Sequence, residues 1–250
     1  MVSRVLKNSI FLRIYAGLVV LVVVVAVFCY LLVQIINYQR AQEYRESLTD
    51  GISYVISEGV ARQPEKQQKL DWISDASDLL ELPIYYVDAA RVELSRTERK
   101  RIAEQKSVVR YDANNGIGYV IIGLKDDPKH FLYIKVDKIG ERQMKALPIF
   151  VLDYLIFYPG QEREYLEKIK KHFYYPIEIA DIRDINLDSE QIGRLRQGQS
   201  VLLYKDSASI RGTTISIVSP MPNHPAQVLI LGPVPMFNWM PFQLSAGITL

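Results

Sequence analysis

Residues that carry recognisable chemistry are scarce in this chain. Among 250 residues there is one cysteine, Cys29, and there are three histidines, His130, His172 and His224. A single cysteine excludes an intramolecular disulfide, and histidines so far apart offer none of the short spacings that bind zinc. No G-x-S-x-G, P-loop, G-x-G-x-x-G, C-x-x-C or H-E-x-x-H occurs. The chain therefore lacks the local turns and ligand pairs on which nucleophilic, nucleotide-dependent and metal-dependent catalysis are built. Excess charge is lacking too: 30 Lys+Arg face 28 Asp+Glu, a net +2, which gives no electrostatic footprint for nucleic acid. From Gly212 to Leu250 there is no Lys, Arg, Asp or Glu at all.

Charge is also absent from Ile14 to Ile36, IYAGLVVLVVVVAVFCYLLVQII, a run of 23 residues. A helix needs ~20 such residues to cross a bilayer core, so residues 14–36 read as a transmembrane helix. The run is longer than the ~7–15 residue apolar core of a cleavable signal peptide and stays bulky to its end. Lipidation of Cys29 is excluded because Phe28 stands where a small residue is needed. Arg4, Lys7 and Arg13 precede the span, which places residues 1–13 in the cytoplasm and the chain after the span on the far side of the membrane. Three of the 30 basic residues thus stay behind, leaving 27 against 28 acidic ones. An exported region without cysteine fits a bacterial periplasm, so the expected location is the inner membrane with residues about 37–235 in the periplasm. After Pro235 the chain reads MFNWMPFQLSAGITL, with Trp239 and Phe242 suited to an interfacial belt. Residues 236–250 are expected to begin a second transmembrane helix that this sequence cuts short.

Between these segments the chain repeats itself. LPIYYVD, residues 82–88, returns as YPIEIAD, residues 175–181, 93 positions on. Leu94, Arg101, Ser107, Val108 and Tyr111 meet Leu187, Arg194, Ser200, Val201 and Tyr204 at the same offset, and the register slips only near Gly118. A constant offset over such a length predicts a tandem duplication. Each copy reads as helix, helix, strand, helix and three strands. In the first, an amphipathic stripe runs from Tyr38 to Val60, followed by a helix ending at Leu80, a strand at Ile84–Val87, and a polar helix at 94–105. Ser95 and Glu98 are spaced as a capping box for that polar helix. In the second copy, Met144, Leu147, Val151, Tyr154 and Tyr158 mark one helix face, and Leu166, Ile169 and Phe173 the next. The expected fold class is α+β: two tandem modules, residues 37–139 and 140–235, each with helices packed on a small antiparallel sheet.

No catalytic residue, cofactor or metal is assigned within the chain. Tyr111, Tyr119, Tyr133 and Tyr204, four of 16 tyrosines, fall on predicted strands. They fit either a ligand pocket between sheet and helix or a core position with the hydroxyl at the sheet edge. Asp181, Asp184, Asp188 and Glu190 crowd one loop and are read as helix caps. Tyr38, Ala41 and Leu48 lie on the outward-running stripe, which either packs on its own domain or forms the seam of a homodimer. Gly232, Pro233 and Pro235 follow the apolar strand VLIL. Because proline removes a donor and fixes φ, the chain is expected to leave the sheet there as a stiff link to the second span.

The stretch VLILGPVPMFNWMPFQL, residues 228–244, resembles the junction between strand and second span in sensor histidine kinases of the RstB branch. LDSEQIGRLRQGQSVLLYKD, residues 187–206, is similar to the segment that precedes it there. The resemblance covers residues 1–250 through the topology. It implies tandem PAS-like periplasmic modules, a parallel homodimer, a cognate response regulator and an unknown periplasmic ligand or protein. It also implies a kinase domain beyond residue 250 that uses ATP and Mg. No phosphoacceptor motif lies within these residues, and simpler members resemble only the second module. Two other readings stay open: the tandem sensor of a chemoreceptor or cyclase, and a non-signalling envelope binding protein.

Overall fold

The computed structural model describes residues 10–112, 115–137, 140–206 and 213–235. The chain divides into two compact units, Met1–Arg45 and Glu46–Leu250. The first holds most of helix α1, Ile10–Ala61. Among the described residues, Ile14–Ile36 is the one segment long and apolar enough to cross a membrane, and none of it is buried. It is apolar on every side, whereas beyond it the apolar residues gather on one face, as a helix that meets a core requires. The expected second span, residues 236–250, lies outside the described part.

The second unit is a mixed α+β fold. After α1 come α2 (Lys66–Leu80), β1 (Ile84–Asp88), α3 (Arg96–Ala103), β2 (Val108–Asp112), β3 (Ile117–Gly123) and β4 (His130–Val136). Next are α4 (Glu141–Ile156), α5 (Glu162–Lys170), β5 (Ile177–Asp181), α6 (Ser189–Arg196), β6 (Val201–Asp206), β7 (Thr213–Met221) and β8 (His224–Pro235). Two four-stranded antiparallel sheets result, ordered β1-β4-β3-β2 and β5-β8-β7-β6. β1 and β5, α3 and α6, and the 3-10 turns Ala89–Arg91 and Ile182–Asp184 begin and end at the same constant offset. Ile84 pairs with Ile134 and Ile177 with Leu231, so the later strands have slipped, as the sequence indicates near Gly118.

Local chemistry repeats with the backbone. Ser95 Oγ accepts from the Glu98 amide at 3.2 Å while Glu98 accepts from the Ser95 amide at 2.7 Å. Asp188 and Gln191 close the same reciprocal box on α6. Asp88 and Asp181 each accept from the amide two residues on, at 2.8 and 2.9 Å. Of the acidic crowd at 181–190, Asp181 and Asp188 thus serve as caps, and Glu190 is bonded to Arg194.

The core is shared between the two copies. One cluster joins Ile52, Val55, Ile56 and Val60 of α1, the inner faces of α2, α4 and α5, and one face of each sheet. Trp72 of α2 meets Phe150 of α4 with ring centroids 6.0 Å apart, and Tyr54 of α1 stacks on His172 at 3.7 Å. A smaller cluster lies on the other face of each sheet: Leu94, Val108, Ile121 and Phe131 beneath α3, and Leu195, Val201, Val218 and Val228 beneath α6.

One expectation is overturned at the end of β8. The strand runs on through Pro233 to Pro235, with Val234 opposite Ile215 and Pro235 opposite Thr214. β5 reaches only as far as Leu231. The Gly232 amide still donates to the Pro176 carbonyl at 2.8 Å, and from Pro233 on β8 has a neighbour on one side only, the setting in which a strand tolerates proline. Gly232 takes φ +116, and a Cβ there would lie 2.7 Å from the Ile215 carbonyl oxygen. Glycine is therefore required at this bend. The Gly232–Pro233 peptide is cis.

Candidate functional site

The four tyrosines do not converge. Successive residues of β2 face opposite ways: Val108 belongs to the cluster under α3, and Val109 packs on the shared core. Tyr111 is thus on the core side at the end of the strand, 46% exposed, and Tyr204 holds the same place on β6, 58% exposed. Tyr119 and Tyr133 lie on the opposite face of the first sheet, their rings 5.2 Å apart and tilted by 35°. Burial, and then Tyr119, raises the Tyr133 hydroxyl above its ordinary pKa. Arg110, opposite Tyr119, holds Glu98 through bonds of 2.8 and 2.9 Å, and this brings the carboxyl down to about 2. These side chains lie together on one face of the first sheet.

Of the signalling candidates on α1, Leu48 packs against the chain's own core. The side chains of Tyr38 and Ala41 lie outside the described part. What holds α1 is a polar clamp that the sequence does not announce. Asp50 accepts from the Ser107 amide at 2.9 Å, the Ser107 hydroxyl at 2.8 Å and Arg101 Nη2 at 3.0 Å. Arg101 Nε lies 3.2 Å from Glu46 and donates to the Ser107 carbonyl at 2.9 Å. Thr49 and Ser107 hydroxyls are 2.8 Å apart. A part-buried carboxylate with this many donors is held in one geometry, because losing a partner would leave a partly desolvated charge. The signal available in the sequence was the return of Arg101 and Ser107 as Arg194 and Ser200.

Two glycines complete the seat of α1. A Cβ on Gly51 would lie 2.4 Å from Phe173, and one on Gly59 2.4 Å from Trp72. The side chains of both copies thus approach the α1 backbone. Arg62, just past the end of α1, lies 4.4 Å from the Tyr154 ring centre and 4.6 Å from that of Phe157. Burial pushes Tyr154 up to about 12.

Two clefts open on the second copy. The larger, about 750 Å³, lies between α4, the turn after α6 and the β7–β8 hairpin, and carries Arg142, Lys145, Arg196, Ser200 and Ser219. The smaller, about 550 Å³, contains Glu162 and His224, which are 3.8 Å apart. Neither includes any of the four tyrosines. His130 stacks on Tyr86 and meets Asp127 at 2.9 Å. Tyr86 also donates to Asp127, and although burial opposes it, these bonds draw Asp127 below its ordinary range. Burial lowers His172. Among the described residues no three His, Cys, Asp or Glu side chains are placed to hold a metal. No family model matches the chain, and no curated protein matches it.

Proposed function

We propose that this chain is the membrane-anchored sensing region of a two-component sensor histidine kinase. The observation that carries the reading is α1: one uninterrupted helix bears both the 23-residue apolar segment and four core residues, Ile52, Val55, Ile56 and Val60. A change in the packing around its last turns is then a change in the position of a helix that enters the bilayer, the kind of coupling a transmembrane sensor needs. The first strand beside the last in each sheet supports the PAS-like reading of the two copies. Residues about 37–235 face the periplasm, the protein works as a parallel homodimer, and the seam on α1 precedes Glu46, since Leu48 is used internally. The resemblance assigns ATP, Mg and contact with a response regulator to a kinase domain beyond residue 250.

Inverted membrane vesicles carrying the full-length protein, supplied with ATP and Mg, test this reading. They should incorporate phosphate at a histidine and pass it to a response regulator. Absence of both, in vesicles where cysteines introduced at Lys66 react with an impermeant maleimide only from the periplasmic side, would leave an envelope binding protein as the better description.

A further inference from the structure

The two copies differ where the first helix of each meets the start of the second strand. Buried positions from Gly51 to Ala61 on α1 recur from Ala146 to Ile156 on α4, except that buried Ile52 falls opposite part-exposed Leu147, with Val55, Ile56 and Val60 matching Phe150, Val151 and Leu155. In that register Glu46 matches Glu141 and Asp50 matches Lys145. The repeat matches Arg101 with Arg194 and Ser107 with Ser200. The partners differ: Arg101 pairs with Glu46, whereas Arg194 pairs with Glu190 on its own helix and Glu141 is bonded to Lys145.

In the first copy the space between helix and strand start is closed by the chain's own carboxylate. Asp50 takes the amide and hydroxyl of Ser107 and the guanidinium of Arg101. In the second copy a cation, Lys145, stands where Asp50 would be, and the Ser200 hydroxyl turns to Ser219 at 3.0 Å. While Arg194, the counterpart of Arg101, is bonded to Glu190, Lys145 and Ser200, the counterparts of Asp50 and Ser107, both line the 750 Å³ cleft. Three cations line it, and the one carboxylate on its wall, Glu81, is bonded to Arg142 at 2.8 Å. Arg196 has no ion-pair partner among the described residues. Val108 pairs with Ile121 and Val201 with Val218, so the buried Ser219 occupies the place of Ile122 and adds a hydroxyl to the cleft. Ile149, Leu152, Met221 and Pro222 supply an apolar wall.

We infer that this cleft binds a small monocarboxylate with an apolar body, its carboxylate beside Ser200 and Lys145 as that of Asp50 lies beside Ser107 and Arg101. The first copy supplies the reason for a carboxylate: it shows how two planar oxygens are met by amide, hydroxyl and cation at this point of the fold. The wall supplies the reason for an apolar body. What binding does for the cell rests on the sensing reading; binding itself does not.

The test uses the whole chain in nanodiscs, carrying methyl-13C methionine, and hexanoate as probe, with 1-hexanol and hexylamine as controls. The Met221 methyl signal should move saturably with hexanoate and not with either control. Lys145→Asp, which places in the second copy the carboxylate the first already has, should weaken hexanoate binding by about tenfold or more without lowering the thermal midpoint. Ser200→Ala should weaken it by a smaller factor. Absence of a saturable shift at millimolar hexanoate, equal response to the controls, or undiminished binding by Lys145→Asp overturns the assignment. Should Lys145→Asp fail to fold, Arg196→Ala decides: weaker binding supports the site and unchanged binding overturns it. A chain that binds hexanoate within a protein that never transfers phosphate refutes the sensing reading and keeps the site; a working kinase that ignores hexanoate does the reverse.

Discussion

Glycine inside a helix is ordinarily replaced with profit to stability, yet Gly51→Ala should destabilise this protein. In an unobstructed helix the substitution gains ~1 kcal/mol. At Gly51 a Cβ would lie 2.4, 2.6 and 2.7 Å from three ring carbons of Phe173, where carbon pairs prefer ~3.5–4.0 Å. Ring or helix must therefore move by more than ~1 Å. Phe173 is buried and packed edge-on against Tyr175 at 5.3 Å, so neither yields freely. Overpacking of this kind costs about 1–3 kcal/mol, and after the helical gain a net loss of about 1 kcal/mol remains. In a unit of this size that lowers the midpoint by about 2–4 °C. Gly193→Ala in α6 is the control, since nothing lies within 4 Å of a Cβ there; it should raise stability by roughly 0.5–1 kcal/mol. Thermal unfolding by circular dichroism of both variants, and of Gly51→Ala combined with Phe173→Leu, reads the result. The smaller side chain should recover part of the loss, a coupling above about 0.5 kcal/mol. Equal gains at Gly51 and Gly193, with additive effects of Phe173→Leu, would refute the close approach of α1 to the second copy.

Two further outcomes concern the surface of the repeats. Glu98, bonded to Arg110, has its folded pKa drawn from 4.5 to about 2, so its contribution is present above pH 4.5 and is lost as pH falls toward 2. Glu98→Gln should therefore cost roughly 1–2 kcal/mol at pH 7, after screening of the part-exposed guanidinium, and next to nothing at pH 2; a difference unchanged between these pH values in urea titrations refutes the ion pair. Gln105 takes φ +58 where the second copy has Gly198 at φ +80, so Gln105→Gly should stabilise by roughly 0.5 kcal/mol and Gly198→Gln destabilise by about 1 kcal/mol. Equal signs for the two would show that the turn does not impose the left-handed conformation.

The elements that sequence reasoning located are those with local causes. Ser95 and Glu98 satisfy amides within their own turn, so their spacing announces the start of α3 whatever packs around it. Strands were visible through their apolar runs and hairpin turns, and the duplication through an offset that needs no knowledge of contacts. The placement of the tyrosines was not legible, because both faces of each sheet meet apolar clusters and alternation alone does not say which face a residue joins. Pro233 and Pro235 misled for a related reason. Proline does remove a ladder donor, but whether a neighbour is there to miss it depends on β5 ending opposite Leu231. The close approach of Phe173 to Gly51 and of Trp72 to Gly59 has no local signal in the sequence, because it depends on contacts between elements far apart in the chain.

The shared core explains where the copies were free to diverge. Positions that fill it must keep their shape, because α1, α2, α4 and α5 close on one another and a change in one copy is felt by the other. The polar rim where a helix meets the first residues of β2 or β6 carries no such restriction, and there the copies part at Asp50 against Lys145 and Gln105 against Gly198; inside the core, Ile122 gives way to the buried Ser219. One copy is locked to α1 by its own carboxylate, and the other leaves the same space open. α4 joins that space to the rest of the unit. Ile149 and Leu152 line the cleft, while Phe150 and Tyr154, on the same helix, meet Trp72 and Arg62. Trp72 in turn lies against Gly59 of α1. Side chains of α4 that lie beside the cleft are thus on the same helix as residues in contact with side chains packed on α1.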